Sequence, residues 1–163
     1  MADTLIVYYS LEGNIDFVAR ALAKEVGADL CRLETVKVYP KKGLMKFFHG
    51  GKDVVAGIRP ELKTALPDLS PYSKVVIAAP VWAGKPAAPI NTFLESANFS
   101  EKKIFAFTSS ASGNGGKTLE LIADAAKRTG GIAVACESFK NPATKPDEAL
   151  AQVKEFAKKL EKC

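Results

Sequence analysis

Five apolar runs of strand length, each followed by an amphipathic stretch of helix length, repeat from one end of the chain to the other. A strand buried on both faces reads as a near-continuous run of branched and aromatic residues, and the helices that cover it show a 3.6-residue period. The alternation therefore predicts an α/β fold, a five-stranded parallel sheet between two helical layers. Thr4 to Tyr9 (TLIVYY) carries no charge and reads as a central strand, followed by a helix over Asn14 to Val26 that Gly27 stops. Asp29 to Glu34 alternates polar and apolar, as an edge strand does. Lys74 to Ala79, Lys103 to Thr108 and Ile132 to Glu137 supply strands three to five. Helices are expected over Ala88 to Ser96, from about Gly116 to Arg128, and over Pro146 to Leu160.

Between Thr35 and Pro71 the pattern breaks into turn residues and scattered apolar ones, and is read as an insertion holding one or two short helices. Phe47, Phe48 and His49 in its 36–57 core are candidates to cover a ligand or meet a partner. The plainer reading is that the phenylalanines pack the helix onto the sheet. With 163 residues, 47% of them hydrophobic, the chain is expected to form one domain spanning residues 1–163.

Several function classes are disfavoured. No apolar run reaches the roughly 20 residues a membrane helix needs. MADTLIVYY lacks the basic start and small-residue cleavage site of a signal peptide, so no membrane partner and a cytoplasmic location are expected. The net charge of +5 is spread over scattered lysines, not a stripe, which disfavours nucleic acid. Cys31, Cys136 and Cys163 form neither a disulfide framework nor a metal spacing. The first two are expected to be packed, and the last free. A sheet of this kind binds ligands beyond the carboxyl ends of its strands, where the order reverses. The informative residues should follow Tyr9, Ala79 and Thr108.

After the first strand, Ser10, Leu11, Glu12, Gly13, Asn14 and Ile15 place a hydroxyl, a glycine and an amide at a helix start. Unpaired N–H groups and the helix dipole there can hold an anion such as a phosphate monoester. A plain helix cap by Ser10 or Asn14 is the competing reading. After the third strand, Pro80, Val81, Trp82, Ala83 and Gly84 put the single tryptophan on a proline-bracketed loop, either as a core plug or as a wall for a planar ligand. Gly84 can change φ at little cost.

The third loop, Thr108, Ser109, Ser110, Ala111, Ser112, Gly113, Asn114, Gly115, contains ASGNGGKT. That stretch fits a relaxed nucleotide phosphate loop in which Ala replaces the first Gly. Such a loop needs a later metal-binding strand, and too little chain follows to supply one. The glycines better suit close approach to a polar heterocycle edge.

An anion cradle, an aromatic wall and an N–H-rich loop, in that order, describe a site for a phosphorylated planar cofactor. The stretches YYSLEGN, PVWAGKPAAPINTFLE and FTSSASGNGGKT resemble the flavodoxin-like family over nearly the whole chain, especially its short members. The resemblance implies strand order 2-1-3-4-5 and flavin mononucleotide (FMN) as cofactor. Ser10, Glu12, Gly13, Asn14 and Ile15 would surround the phosphate, Trp82, Ala83 and Gly84 would flank the ring, and Ser109 to Gly115 would meet its pyrimidine edge. It also implies a redox partner protein or a small electron acceptor, and a monomer or homodimer. Two features depart from the family pattern: Ile15 stands where a hydroxyl residue is usual, and the chain is basic where many members are acidic. No side chain is needed as catalytic acid or base.

Overall fold

The structure is a computed structural model describing residues 2–163, apart from the side chain of Phe47. The uncharged first run forms β1 (Thr4–Tyr8), every residue of which is buried. The amphipathic run after it forms α1 (Asn14–Val26), closed by Gly27 at a φ of 66°. On one side β1 pairs in parallel with β2 (Asp29–Arg32), and on the other with β3 (Lys74–Trp82). Parallel pairing continues to β5 (Lys103–Ser110) and β6 (Ile132–Lys140). Leaving aside the two-residue β4 (Lys85–Pro86), the order β2-β1-β3-β5-β6 is the expected one.

Alternate residues of the central strands feed two cores, because successive side chains in a strand point to opposite faces. Ile6, Tyr8, Val76, Ala78, Phe105 and Phe107 meet α1 and α5 (Pro146–Glu161). Leu5, Val7, Val75, Ile77, Ile104 and Ala106 meet α3 (Ala88–Ser96) and α4 (Gly116–Arg128). Each large aliphatic or aromatic side chain removed from water here contributes about 1.5–3 kcal/mol before entropy is counted. No helix among the described residues is long and apolar enough to cross a membrane.

Three local expectations change. The fifth run forms β6 at the sheet edge, where the expected order puts it, but extends three residues past Glu137, with Ile132, Val134 and Cys136 exposed. Cys136 is therefore not packed; Cys31 is half-buried against the core and Cys163 is exposed. An apolar run alone does not reveal which strand lacks a neighbour. The proline-bracketed loop is also not a loop. β3 runs on through Pro80, Val81 and Trp82 and folds back on β4, pairing Val81 with Pro86 and Trp82 with Lys85. Its two turn residues, Ala83 and Gly84, stand at φ 49° and 75°, the double positive φ of a type I′ hairpin turn.

The insertion closes at its neck through an antiparallel bridge between Thr35 and Leu62, where Lys63 N–H also donates to the Glu34 carbonyl at 2.7 Å. Within it lies one helix, α2 (Leu44–Val55). That helix packs against β3 and α3, which brings the insertion to the same sheet edge as the ends of β1, β3 and β5.

Candidate functional site

At that edge the structure forms a cavity of about 430 Å³, within the size range of small-molecule sites. Its two ends are built differently.

One end is the turn between β1 and α1. The buried Ser10 hydroxyl oxygen accepts from the N–H groups of Gly13 (3.2 Å) and Asp16 (3.1 Å), so it holds the turn against the helix start. Gly13 stands at a φ of 99°, which a side chain would strain. The N–H groups of Glu12, Asn14 and Ile15 find no acceptor among the described residues, and at a helix N-terminus such donors and the dipole favour an anion. From outside, the Arg32 guanidinium donates to the Ser10 carbonyl at 3.1 Å and pairs with Asp16 at 3.3 Å. Asp16 also accepts from Tyr8 at 2.7 Å and from Arg20 at 2.8 Å. Burial pushes the Asp16 carboxyl up, but the hydrogen bonds from Arg20 and Tyr8 and the nearby arginine charges outweigh it and leave it below the usual carboxylate range. Asn14 does not cap its own helix. Its Oδ1 accepts from Ala143 N–H at 3.1 Å, tying the turn to the short 3-10 helix Pro142–Thr144 after β6.

The other end is the hairpin and the start of the third loop. Pro80, Val81, Trp82, Ala83 and Gly84 all line the cavity, as do Ser109, Ser110 and Ala111. Trp82 combines the two readings open in the sequence: it borders the cavity, and it also plugs a cluster of rings. Tyr39 stands 4.9 Å from it between centroids and Tyr9 5.6 Å, edge-on. A Cβ on Gly50 of α2 would lie only 3.1 Å from indole carbons, so the helix backbone lies directly against the ring. Burial pushes the Tyr9 phenol up to about 12, and that ring stays neutral.

The rest of the third loop supports the site without lining it. Thr108 is fully buried, and a Cβ on Gly115 would stand 2.1 Å from its hydroxyl oxygen. The Ser138 hydroxyl donates to the Gly113 carbonyl at 2.7 Å, and Gly113 has a φ of 77°. Thr108, Gly113, Asn114 and Gly115, together with Gly13, fall outside the cavity lining; their glycines satisfy packing and backbone demands. Lys117, which completes the nucleotide-loop pattern, has a 71% exposed side chain and, among the described residues, pairs only with Glu120 at 4.0 Å. The described residues hold no metal-binding cluster of His, Cys, Asp or Glu.

Sequence reasoning missed three lining residues: Lys46, Gly51 and Asn141. Asn141 precedes a proline and has a left-handed φ of 41°; the Asn-Pro pair was a readable turn signal. Lys46 Nζ lies 2.5 Å from Glu12 Oε1, and nothing local in sequence announces that meeting. Phe48 is 62% exposed and does not pack the helix onto the sheet; the expectation for the Phe47 side chain lies outside the described residues. His49 stacks edge-on with Phe48 at 5.7 Å and is absent from the cavity lining.

Comparison with known proteins agrees with this architecture. A family model described as flavodoxin matches residues 3–132. An NAD(P)H dehydrogenase (quinone) of Caulobacter vibrioides is 31% identical over 134 residues, 74% of this chain and 63% of that protein. The chain thus spans somewhat under two thirds of the length of that curated relative. Among solved structures, a flavoprotein from Lactobacillus acidophilus in complex with FMN aligns over 91% of this chain and 98% of its own, with 24% identity and a TM-score of 0.71. Oxidised Flavodoxin 2 from Bacillus cereus aligns over 99% of both chains with 15% identity and a TM-score of 0.61.

Proposed function

The chain belongs to the flavodoxin family, and from that premise we propose that it is an FMN-binding redox protein acting as a flavodoxin-type electron carrier. One observation carries the proposal: a single cavity joins an anion-accepting helix start to a rigid hairpin wall. Its dimensions and donor set fit a phosphorylated flavin. The N–H groups of Glu12, Asn14 and Ile15 would receive the phosphate. Trp82, Ala83 and Gly84 would border the ring on one side, with Ser109, Ser110 and Ala111 beyond it.

When bound, such a flavin supplies the electron-accepting chemistry. This chain's residues bind, orient and exclude water. Only Glu12 and Lys46 among the lining residues are ionisable, and they pair with each other. No side chain is thereby poised as a proton donor to substrate, which suits a carrier. Trp82, backed by the buried Tyr39 and Tyr9, gives the ring end an apolar wall, which disfavours charge accumulation there.

A second reading, an NAD(P)H-dependent quinone oxidoreductase, is supported by the name of the Caulobacter relative. A third, a binding module with weakened FMN affinity, rests on Ile15. Calorimetric titration with FMN, then anaerobic stepwise reduction counting electrons at each potential, tests all three. FMN binding with two separated one-electron steps supports the carrier, and rapid two-electron reduction by NAD(P)H supports the oxidoreductase. Absence of FMN binding overturns both.

A further inference from the structure

The insertion helix reaches both ends of the cavity. At the ring end Gly50 lies against Trp82, and at the anion end Lys46 pairs with Glu12. Glu12 is awkward where it stands. Its backbone N–H belongs to the anion-accepting set, yet its carboxylate brings negative charge to the place where a phosphate would sit, and like charges at close range repel. The usual hydroxyl at the end of this turn is missing as well. Ile15 is 1% exposed, with its side chain in the core beside Val18 and Leu22.

Lys46 answers both problems. It lines the cavity together with Glu12, Asn14 and Ile15, and its side chain is three-quarters buried. A flexible four-carbon stem lets the ammonium serve a second oxygen beside its carboxylate partner, and it has three donors to do so. Resting on the FMN reading above, we infer that Lys46 is the residue that selects a phosphorylated flavin over its unphosphorylated counterpart, its ammonium offsetting the Glu12 carboxylate at the phosphate end of the cavity. The insertion is then part of the cofactor site, and the cation takes over from the missing hydroxyl.

The test compares FMN with riboflavin, which shares the ring and lacks the phosphate, by calorimetry on wild type, K46Q, K46R and E12Q. Loss of one charge-assisted hydrogen bond predicts about a ten- to hundredfold weaker FMN affinity in K46Q. Riboflavin affinity should be unchanged, and K46R should restore most of the FMN affinity. E12Q removes the competing charge and should tighten FMN without affecting riboflavin; it stands as the independent arm if K46Q unfolds. Raising salt should narrow the gap between wild type and K46Q. Equal losses for both flavins in K46Q, or no loss for either, would overturn the role of Lys46 while leaving FMN binding intact. A wild type that binds neither flavin overturns the functional reading itself.

Discussion

Tyr39 donates its phenolic hydrogen to Asp53 at 2.7 Å, and the same carboxylate oxygen takes a 2.6 Å ion pair from Lys37. Because Tyr39 also packs at a tilt against Trp82, this buried acid fixes the insertion to the ring wall. Burial pushes the Asp53 carboxyl up, but hydrogen bonds from Lys37 and Tyr39 outweigh it and hold it below the usual carboxylate range.

A group whose folded pKa is depressed stabilises above its unfolded pKa, and that contribution fades as pH falls through the folded value. Asp53 therefore contributes its full share above about pH 4 and loses it on further acidification. Asp53→Asn should flatten part of the acid limb of the stability curve. Asp53→Ala, which strands the Tyr39 hydroxyl, should cost about 2–3 kcal/mol. Urea midpoints between pH 2.5 and 7 measure both, and an unchanged acid limb in Asp53→Asn would contradict the assignment.

Gly115→Ala should destabilise by about 1–3 kcal/mol, because its methyl group would collide with Thr108 beneath it. Gly116→Ala, one residue on, meets nothing closer than 3.9 Å and should be neutral or slightly stabilising. Similar midpoints for the two variants would remove the packing reason for the glycine-rich turn.

Gly84→Ala should cost about 1 kcal/mol, since it puts a side chain at positive φ. Ala83 already bears that strain at a φ of 49°. Ala83→Gly is accordingly expected to be neutral or stabilising by up to about 1 kcal/mol, relief of strain being partly offset by the freer unfolded chain. A clear loss of stability in Ala83→Gly would argue against the turn described.

Thiol labelling should distinguish the cysteines. Cys136 and Cys163 are exposed and should react quickly, whereas burial pushes the Cys31 thiol up and should leave it slow until the protein unfolds. Rapid labelling of all three in native buffer would be incompatible with Cys31 packed against the core.

The parts legible in sequence were those whose signal is local. Ile6, Val7, Ile77 and Phe105 sit in strand-length runs of branched and aromatic residues, and Val18 and Leu22 recur at the spacing that buries one helix face. The turn Ser10–Ile15 was readable as a helix start with open N–H groups because glycine and hydroxyl residues meet there. Other features depended on distant partners. Lys46 finds Glu12 across 34 residues, and Asn14 finds Ala143 across 129. The hairpin was hidden because Ala83 adopts a φ usually left to glycine or asparagine. Cys136 looked like core because edge and interior strands can share one composition.

Gly50 leaves no side chain between α2 and Trp82, and this is the only tryptophan in the protein. The indole emission spectrum therefore comes from one place, where the insertion, the hairpin and the cavity meet. Lifting α2 away would admit water to that ring and redshift its emission while the sheet stayed folded. The molecule thus carries a built-in optical gauge of whether its insertion is seated, readable without any label.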